Sequence, residues 1–250
     1  MYEEPSKIKL WHYSPKAENP RRPTGTTYFF YRLSLDPDNI AYHRAEYRYY
    51  EKKYNIGSYE KELPFCIISA GRNNNNNNVI EKYLRSLKRQ NYTNFHVVYV
   101  DDLSDDGSVE KMEELIFLEY PEMKNKITIV KNTERIYSLG NRYKAVTQYC
   151  KEDEIVIDMD ADDELIGCQV IKLFNMLYKS KEEVWLAYSN HLTYDDGLRH
   201  PMVGISKMVD PEYFQKHTIR IHNFTMHNLR SFSRKLFMKI DEEYFKNKNG

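Results

Sequence analysis

The sequence predicts an α/β fold, a mostly parallel sheet over residues 65–188 with helices on both faces. Three observations carry that expectation. Short continuous apolar runs such as Phe65-Cys66-Ile67-Ile68 mark strands buried on both faces. Longer segments between them repeat their apolar residues at helical spacing, as at Val79, Ile80, Tyr83, Leu84 and Leu87. Strand and helix alternate at distances that build right-handed crossovers.

Residues 1–62 read as an N-terminal extension packing on a main domain of residues 63–250. The extension is rich in Tyr, Arg and Lys and carries Pro5, Pro15, Pro20 and Pro23. Proline fixes φ and removes a donor, so its first part is expected to be irregular or edge structure. A helix is predicted over 38–54, capped near Asp36 or Asp38, with Ile40, Tyr47, Tyr50 and Tyr54 on one face. The main domain then predicts strands over 65–68, 95–100, 127–130, 154–159 and 184–188. Helices are expected over 79–89, 108–120, 138–150 and 167–179, with Ser108 as an N-cap. The asparagine run 73–78 follows the first strand. Low-complexity Asn is polar and tolerates turns, so it reads as a surface loop, with Asn73 nearest the strand end.

Bulk composition narrows the function classes. The chain has 250 residues, 41% of them hydrophobic, and 37 basic residues balance 37 acidic ones. A neutral chain lacks the concentrated basic surface that tracks a phosphate backbone, so nucleic acid is not an expected partner. No apolar run is long enough to span a bilayer, and the N-terminus is not a signal peptide. A cytoplasmic location is the default. Cys66, Cys150 and Cys168 are too few and too scattered for a disulfide framework or a zinc signature. They are expected to be reduced, buried thiols.

In open α/β sheets ligands bind outside the carboxyl ends of the strands. The first strand exits through Ser69-Ala70-Gly71-Arg72-Asn73, the second through Asp101-Asp102-Leu103-Ser104-Asp105-Asp106-Gly107-Ser108, and the fourth through Asp158-Met159-Asp160-Ala161-Asp162-Asp163. Asp favours turns and caps, so either acidic cluster alone is unremarkable. Two of them at one crevice repel one another unless a cation intervenes. Hard carboxylate oxygens suit Mn²⁺ or Mg²⁺, bound through one or two carboxylates plus substrate phosphates. A nucleoside diphosphate ligand is the corresponding expectation. Neither a Walker loop nor a Gly-x-Gly-x-x-Gly motif follows the first strand.

The run Phe65 to Ser69, the Val97-Val98-Tyr99-Val100-Asp101-Asp102-x-Ser104-x-Asp106-Gly107-Ser108 segment and the Ile155-Val156-Ile157-Asp158-Met159-Asp160-Ala161-Asp162-Asp163 segment resemble family 2 glycosyltransferases. Their fold is the Rossmann-like glycosyltransferase-A type. The resemblance runs from about Leu63 to about Ile240 and implies transfer of a sugar, with inversion, from a nucleotide-sugar donor, a UDP-sugar foremost. It implies that Asp102, with Asp101 beside it, accepts from the base, flanked by Ser69, Gly71, Arg72 and Asn73. Arg72 would stack where the family has an aromatic residue. Asn141 matches a family Asn. Asp160 would touch the ribose and share the Asp-x-Asp metal site with Asp162 and Asp163. His227 and Arg230, in His227-Asn228-Leu229-Arg230-Ser231-Phe232, would face the diphosphate or the acceptor, whose identity the sequence does not give.

An inverting transferase needs a carboxylate base. After Ile240 the candidates are Asp241, Glu242 and Glu243, earlier than the family's acidic motif. The chain ends on Asn249-Gly250, a hairpin-turn signal without a second strand. It reads as the front part of a longer protein or one lacking its catalytic end. Three readings stay open: an active glycosyltransferase, a nucleotide-sugar-binding module without catalysis, and a nucleotidyltransferase.

Overall fold

The computed structural model describes residues 62–179 and 229–245, with the short pieces 10–12, 184, 186–189, 191–193, 202–204 and 216. The expected helix 38–54 lies outside the described residues, as does His227. In chain order the strands are β1 (Leu10–His12), β2 (Phe65–Gly71), β3 (Phe95–Asp101), β4 (Ile127–Lys131), β5 (Ile155–Asp158), β6 (Leu186–Tyr188), β7 (His191–Thr193), β8 (Met202–Gly204) and β9 (Arg230–Ser233). The helices are α1 (Val79–Lys88), α2 (Ser108–Leu118), α3 (Tyr137–Gln148), α4 (Val170–Tyr178) and α5 (Arg234–Phe237). The chain divides into two compact units, one of Tyr59–Ile171 with Phe232–Gly250 and one of Met1–Ser58 with Lys172–Ser231.

In the first unit β2 is central. It pairs in parallel with β3 on one side and with β5 on the other, and β4 pairs in parallel with β3. Successive side chains of a strand alternate between faces. The register Cys66↔His96 and Cys66↔Val156 therefore lines up Cys66, Ile68, Val98, Val100 and Val156 on one face. Ala145 and Val146 of α3 and the following Cys150 close that face. The opposite face presents Phe65, Ile67, Val97, Tyr99 and Ile157. There Tyr83 of α1 meets Tyr99 edge-on, with ring centroids 5.9 Å apart. Both faces are buried, which is why these strands read as unbroken apolar runs. Each such aliphatic or aromatic side chain contributes about 1.5–3 kcal/mol of transfer free energy.

Element ends are set by pairing and capping. Strand β2 runs on past the apolar stretch because its ladder with β3 continues to Gly71↔Asp101. Ser108 is the first residue of α2 and not its cap; Gly107, at φ 80°, takes the cap position. Helix α4 starts at Val170, where the Gln90 side-chain carbonyl accepts from the Val170 N–H at 3.0 Å. A short 3₁₀ turn, Pro121–Met123, joins α2 to β4.

The expectation of separate reduced thiols fails for two of the three cysteines. Cys66 and Cys150 are joined as a disulfide, their Cα atoms 5.8 Å apart, while Cys168 takes no part in a disulfide. They lie 84 residues apart in sequence, so only the packing of α3 on β2 brings them together.

The second unit pairs β1 in parallel with β6 and β7 antiparallel with β8. Within it Ser189 and Leu229 exchange hydrogen bonds, the Ser189 N–H donating to the Leu229 carbonyl and the Leu229 N–H to the Ser189 hydroxyl, each at 2.9 Å.

Candidate functional site

The chain builds β2, β3 and β4 outward in one direction and then returns to the other flank of β2 with β5. Strand order thus reverses at β2, and the crevice beyond the carboxyl ends of β2 and β5 is the switch point where α/β sheets take ligands. Both acidic clusters and the asparagine run leave strands at this end.

Gly71 sets the spacing. A Cβ on Gly71 would fall 2.5 Å from the Ala161 Cβ and 2.4 Å from the Asn74 side-chain nitrogen. Only glycine lets the end of β2 pack directly on the Asp160-Ala161-Asp162 turn. The same position lies 3.3 Å from the Tyr99 hydroxyl, beneath the floor of the crevice. Burial foremost raises Tyr99 to about 12, and the charges of Asp101, Asp106 and Asp162 add to the rise. Tyr99 therefore stays a neutral phenol among carboxylates.

The asparagine run is more than a neutral loop. The Asn73 N–H donates to the Ser104 hydroxyl at 2.9 Å, and Asn73 exchanges hydrogen bonds with Asp105 at 2.8 and 3.1 Å. The Asn74 N–H donates to the Ser108 hydroxyl at 2.8 Å, and the Asn75 N–H to Asp106 at 2.8 Å. Asn73, Asn77 and Asn78 have φ of 58°, 43° and 57°, the left-handed region that asparagine tolerates better than most residues. Three successive asparagines thus tie the exit of β2 to the exit of β3.

At the β3 exit the carboxylates turn inward. Asp101 accepts from the Ser104 N–H at 2.9 Å and from its hydroxyl. Asp102, 5% exposed, accepts from the N–H groups of Ile136 and Tyr137 at 2.9 and 3.1 Å and from Asn132 at 3.1 Å. Burial raises its pKa, but these donors and Asn141 outweigh burial and hold it below the ordinary carboxylate value. Asp102 thus places a carboxylate at the amino end of α3, whose first residue, Tyr137, has a positive φ of 60°. Asn141 is 1% exposed and accepts from Asn132 at 2.7 Å. Ser69 is equally buried and accepts from the Tyr83 hydroxyl at 2.9 Å. Arg72 folds onto the β3 exit, donating to the Leu103 carbonyl at 3.1 Å and lying 3.4 Å from Asp105.

At the β5 exit the cluster divides. Asp158, 6% exposed, accepts from Arg142 Nε at 2.7 Å, and Asp160 accepts from Arg142 Nη2. Burial opposes the Arg142 charge, but the two carboxylates prevail and raise its pKa. Asp162 and Asp163 are exposed, and the Asp163 N–H closes a turn on the Asp160 carbonyl at 3.1 Å. Among the described residues, no three acidic ligand atoms converge here. Exposed Asp162 and Arg142-bound Asp160 are the carboxylates here that could hold an ion, one taking the rest of its shell from phosphate oxygens and water. Such an ion would neutralise a diphosphate.

Sequence reasoning missed Arg142, Tyr99 and Asn132. Asn132 follows β4, so reading that strand's exit would have flagged it; a lone Arg on a helix and a Tyr inside a buried strand carry no such signal. The remaining candidates are placed elsewhere. Arg230 begins β9, in the second unit. Asp241, Glu242 and Glu243 are exposed, the last two opening a 3₁₀ turn, Glu242–Phe245. Phe245 anchors that turn on Tyr143 of α3, with ring centroids 4.8 Å apart.

Residues 67–241 match the sequence family described as glycosyl transferase family 2. No curated protein sequence matches the chain significantly. Among solved structures, Staphylococcus aureus TarS residues 1–349 in complex with UDP-GlcNAc is 23% identical, with a TM-score of 0.39 over 46% of this chain and 31% of that one. The mannosyltransferase PcManGT from Pyrobaculum calidifontis, in complex with GDP-Man and Mn²⁺, is 18% identical, with a TM-score of 0.46 over 84% and 58%. The 4-diphosphocytidyl-2C-methyl-D-erythritol synthase from Anaerococcus prevotii is 11% identical, with a TM-score of 0.45 over 74% and 77%. The chain spans less than a third of the TarS chains it matches.

Proposed function

The chain belongs to glycosyl transferase family 2, and from that premise we propose that it binds a nucleotide-sugar donor, a UDP-sugar, at the carboxyl ends of β2, β3 and β5 and transfers the sugar to an acceptor with inversion. One observation supports the site above the others: the close packing of Gly71 on Ala161 sets the Asp-x-Asp turn against the β2 and β3 exits at the sheet's switch point. Asp160 and Asp162 would hold Mn²⁺ or Mg²⁺ between protein and diphosphate, with Asp163 in support. The ion supplies charge neutralisation of the leaving group.

The chain's own residues do the rest. Arg142 fixes the Asp160 carboxylate from behind. Asp102 holds the amino end of α3 and lines the base side of the crevice with Asp101, Gly71, Arg72 and Asn73. Asp241, Glu242 and Glu243 are the candidate bases for the acceptor hydroxyl. A nucleotidyltransferase, which calls for a Gly- and Lys/Arg-rich phosphate loop after β2, draws less support, since Gly71-Arg72 followed by six asparagines is too little for one. The reading includes a cytoplasmic location. No described helix is long and apolar enough to cross a membrane.

Calorimetry of UDP-sugars with and without Mn²⁺ tests the proposal. Binding is expected only with the ion, and at a hundredfold excess over Kd it should stabilise the fold by about 2.7 kcal/mol. Asp162→Ala should abolish that binding while changing stability by no more than about 0.5 kcal/mol, as at an exposed site. Nucleotide binding indifferent to both metal and Asp162 would sink the assignment. Binding without transfer to any acceptor would favour a donor-binding module.

A further inference from the structure

At the amino-terminal ends of the strands, away from the acidic turns, a second group of metal-ligating side chains meets. Cys66 and His96 are register partners near the starts of β2 and β3, and Glu154 immediately precedes β5. One ligand atom from each of these three lies within 4.8 Å of the others. Cys150, just beyond α3, brings a fourth, because its sulfur is bonded to that of Cys66. Two sulfurs, an imidazole and a carboxylate thus share one small volume.

The fold positions each of them. The strand pleat sends Cys66 and His96 to the face that α3 covers. The Lys151 N–H donates to Glu154 at 2.6 Å, and both Glu154 oxygens lie 3.1 Å from His96 Nε2. The Glu154 carboxylate is 3% exposed, while the His96 side chain, at 26%, opens the group to solvent. A carboxylate in that position needs a cation or a donor beside it.

We propose that, once the Cys66–Cys150 bond is reduced, Cys66, Cys150, His96 and Glu154 hold a zinc ion, so that disulfide and zinc are alternative states of the same four residues. Thiolate, imidazole and carboxylate are the ligand classes of tetrahedral zinc sites. Sulfur selects zinc over the hard ions that suit the aspartate turn. The chemistry balances: a thiol reductant donates two electrons and two protons, the S–S bond breaks, and the reductant leaves as its own disulfide. The two new thiols release their protons as the ion binds, and neutral His96 offers Nε2. Oxidation withdraws both sulfurs and leaves only His96 and Glu154, too few for a closed site. The alternative is a permanent disulfide beside a His–Glu pair, which gives the reduced chain no cation site.

The test uses the 250-residue chain, reduced with a phosphine, freed of metal and reductant, and titrated with Co²⁺ and then Zn²⁺. The reduced chain should show thiolate-to-cobalt charge-transfer absorption and tetrahedral visible bands, displaced by one equivalent of Zn²⁺. An excess of Mg²⁺ should leave the bands unchanged. The oxidised chain should show none. Cys150→Ser should remove the bands or shift them to a single-thiolate spectrum. His96→Ala should weaken zinc by on the order of 100-fold or more, since loss of even an outer-shell partner costs about 10–100-fold. A reduced, folded wild-type chain without the cobalt bands would overturn the proposal, as would zinc binding equal in the two redox states. Both readings come from the unmutated chain and do not depend on either variant folding.

Discussion

Asp102→Asn is the most telling single change. Asp102 Oδ1 accepts from the Ile136 N–H and from Asn132, and Oδ2 from the Tyr137 N–H. An amide must point its NH₂ at one of these donors. The cheaper orientation faces Tyr137 alone, leaving that N–H unpaired and setting the amide 3.9 Å from Arg135 Nε. A lost hydrogen bond to a charged group is worth about 1.5–3 kcal/mol, so about 2 kcal/mol of stability should disappear at pH 7. For a chain of this size that lowers Tm by about 4–8 °C. The pH dependence gives a second signature. The folded pKa of Asp102 lies below its unfolded value near 3.8, so its contribution is complete above that value and is lost as pH falls through the folded pKa. Wild type and variant should therefore differ fully at neutral pH and converge in acid. The assay is chemical denaturation of both proteins across pH, with UDP calorimetry on the same samples. A neutral-pH difference under about 0.5 kcal/mol would refute the capping argument, that being the spread of an ordinary surface change. Weakened UDP binding with an unchanged Tm would return Asp102 to a base-contact role alone.

Two further changes probe the scaffold. Gly71→Ala should cost about 1–3 kcal/mol, as over-packing does, and should weaken nucleotide binding because the Ala161 turn has to retreat; unaltered Tm and affinity would show that the turn yields freely. Arg142→Gln should lower stability by about 3 kcal/mol, the lower end for breaking a buried pair, since Asp158 is buried and loses its cation. Arg142→Lys should not restore it, because one ammonium cannot match the planar fork that spans Asp158 and Asp160; urea titrations of both variants check this.

The fold class was legible because burial on both faces writes itself into composition. Phe65 to Ile68 and Val97 to Val100 are apolar without interruption for no other reason than packing above and below. The two acidic clusters were legible for a related reason: they occupy the positions where such strands end. Periodicity reports what a residue's own element needs, and the residues on which it was silent are those that serve another element. Asp102 was legible as a ligand group, and its second task, accepting from the amino end of α3, was not. Asn141 matched a ligand-binding pattern and is buried against Asn132. The asparagine run looked dispensable, yet Asn73, Asn74 and Asn75 bind the β3 exit more than thirty residues on. Arg142 gave no local sign, since its partners lie off its own helix, Asp158 at the end of β5 and Asp160 in the turn beyond it. The same holds for Cys66 and Cys150, separated by 84 residues and joined only because α3 packs across β2. The sequence by itself determined which segments are strands and helices and where charge gathers at their ends, because those depend on contacts every residue makes with the core. The tertiary structure alone decided which of those charges are satisfied within the protein and which remain open to a ligand, because a hydrogen bond across the sheet depends on distance in space and leaves no period in the chain.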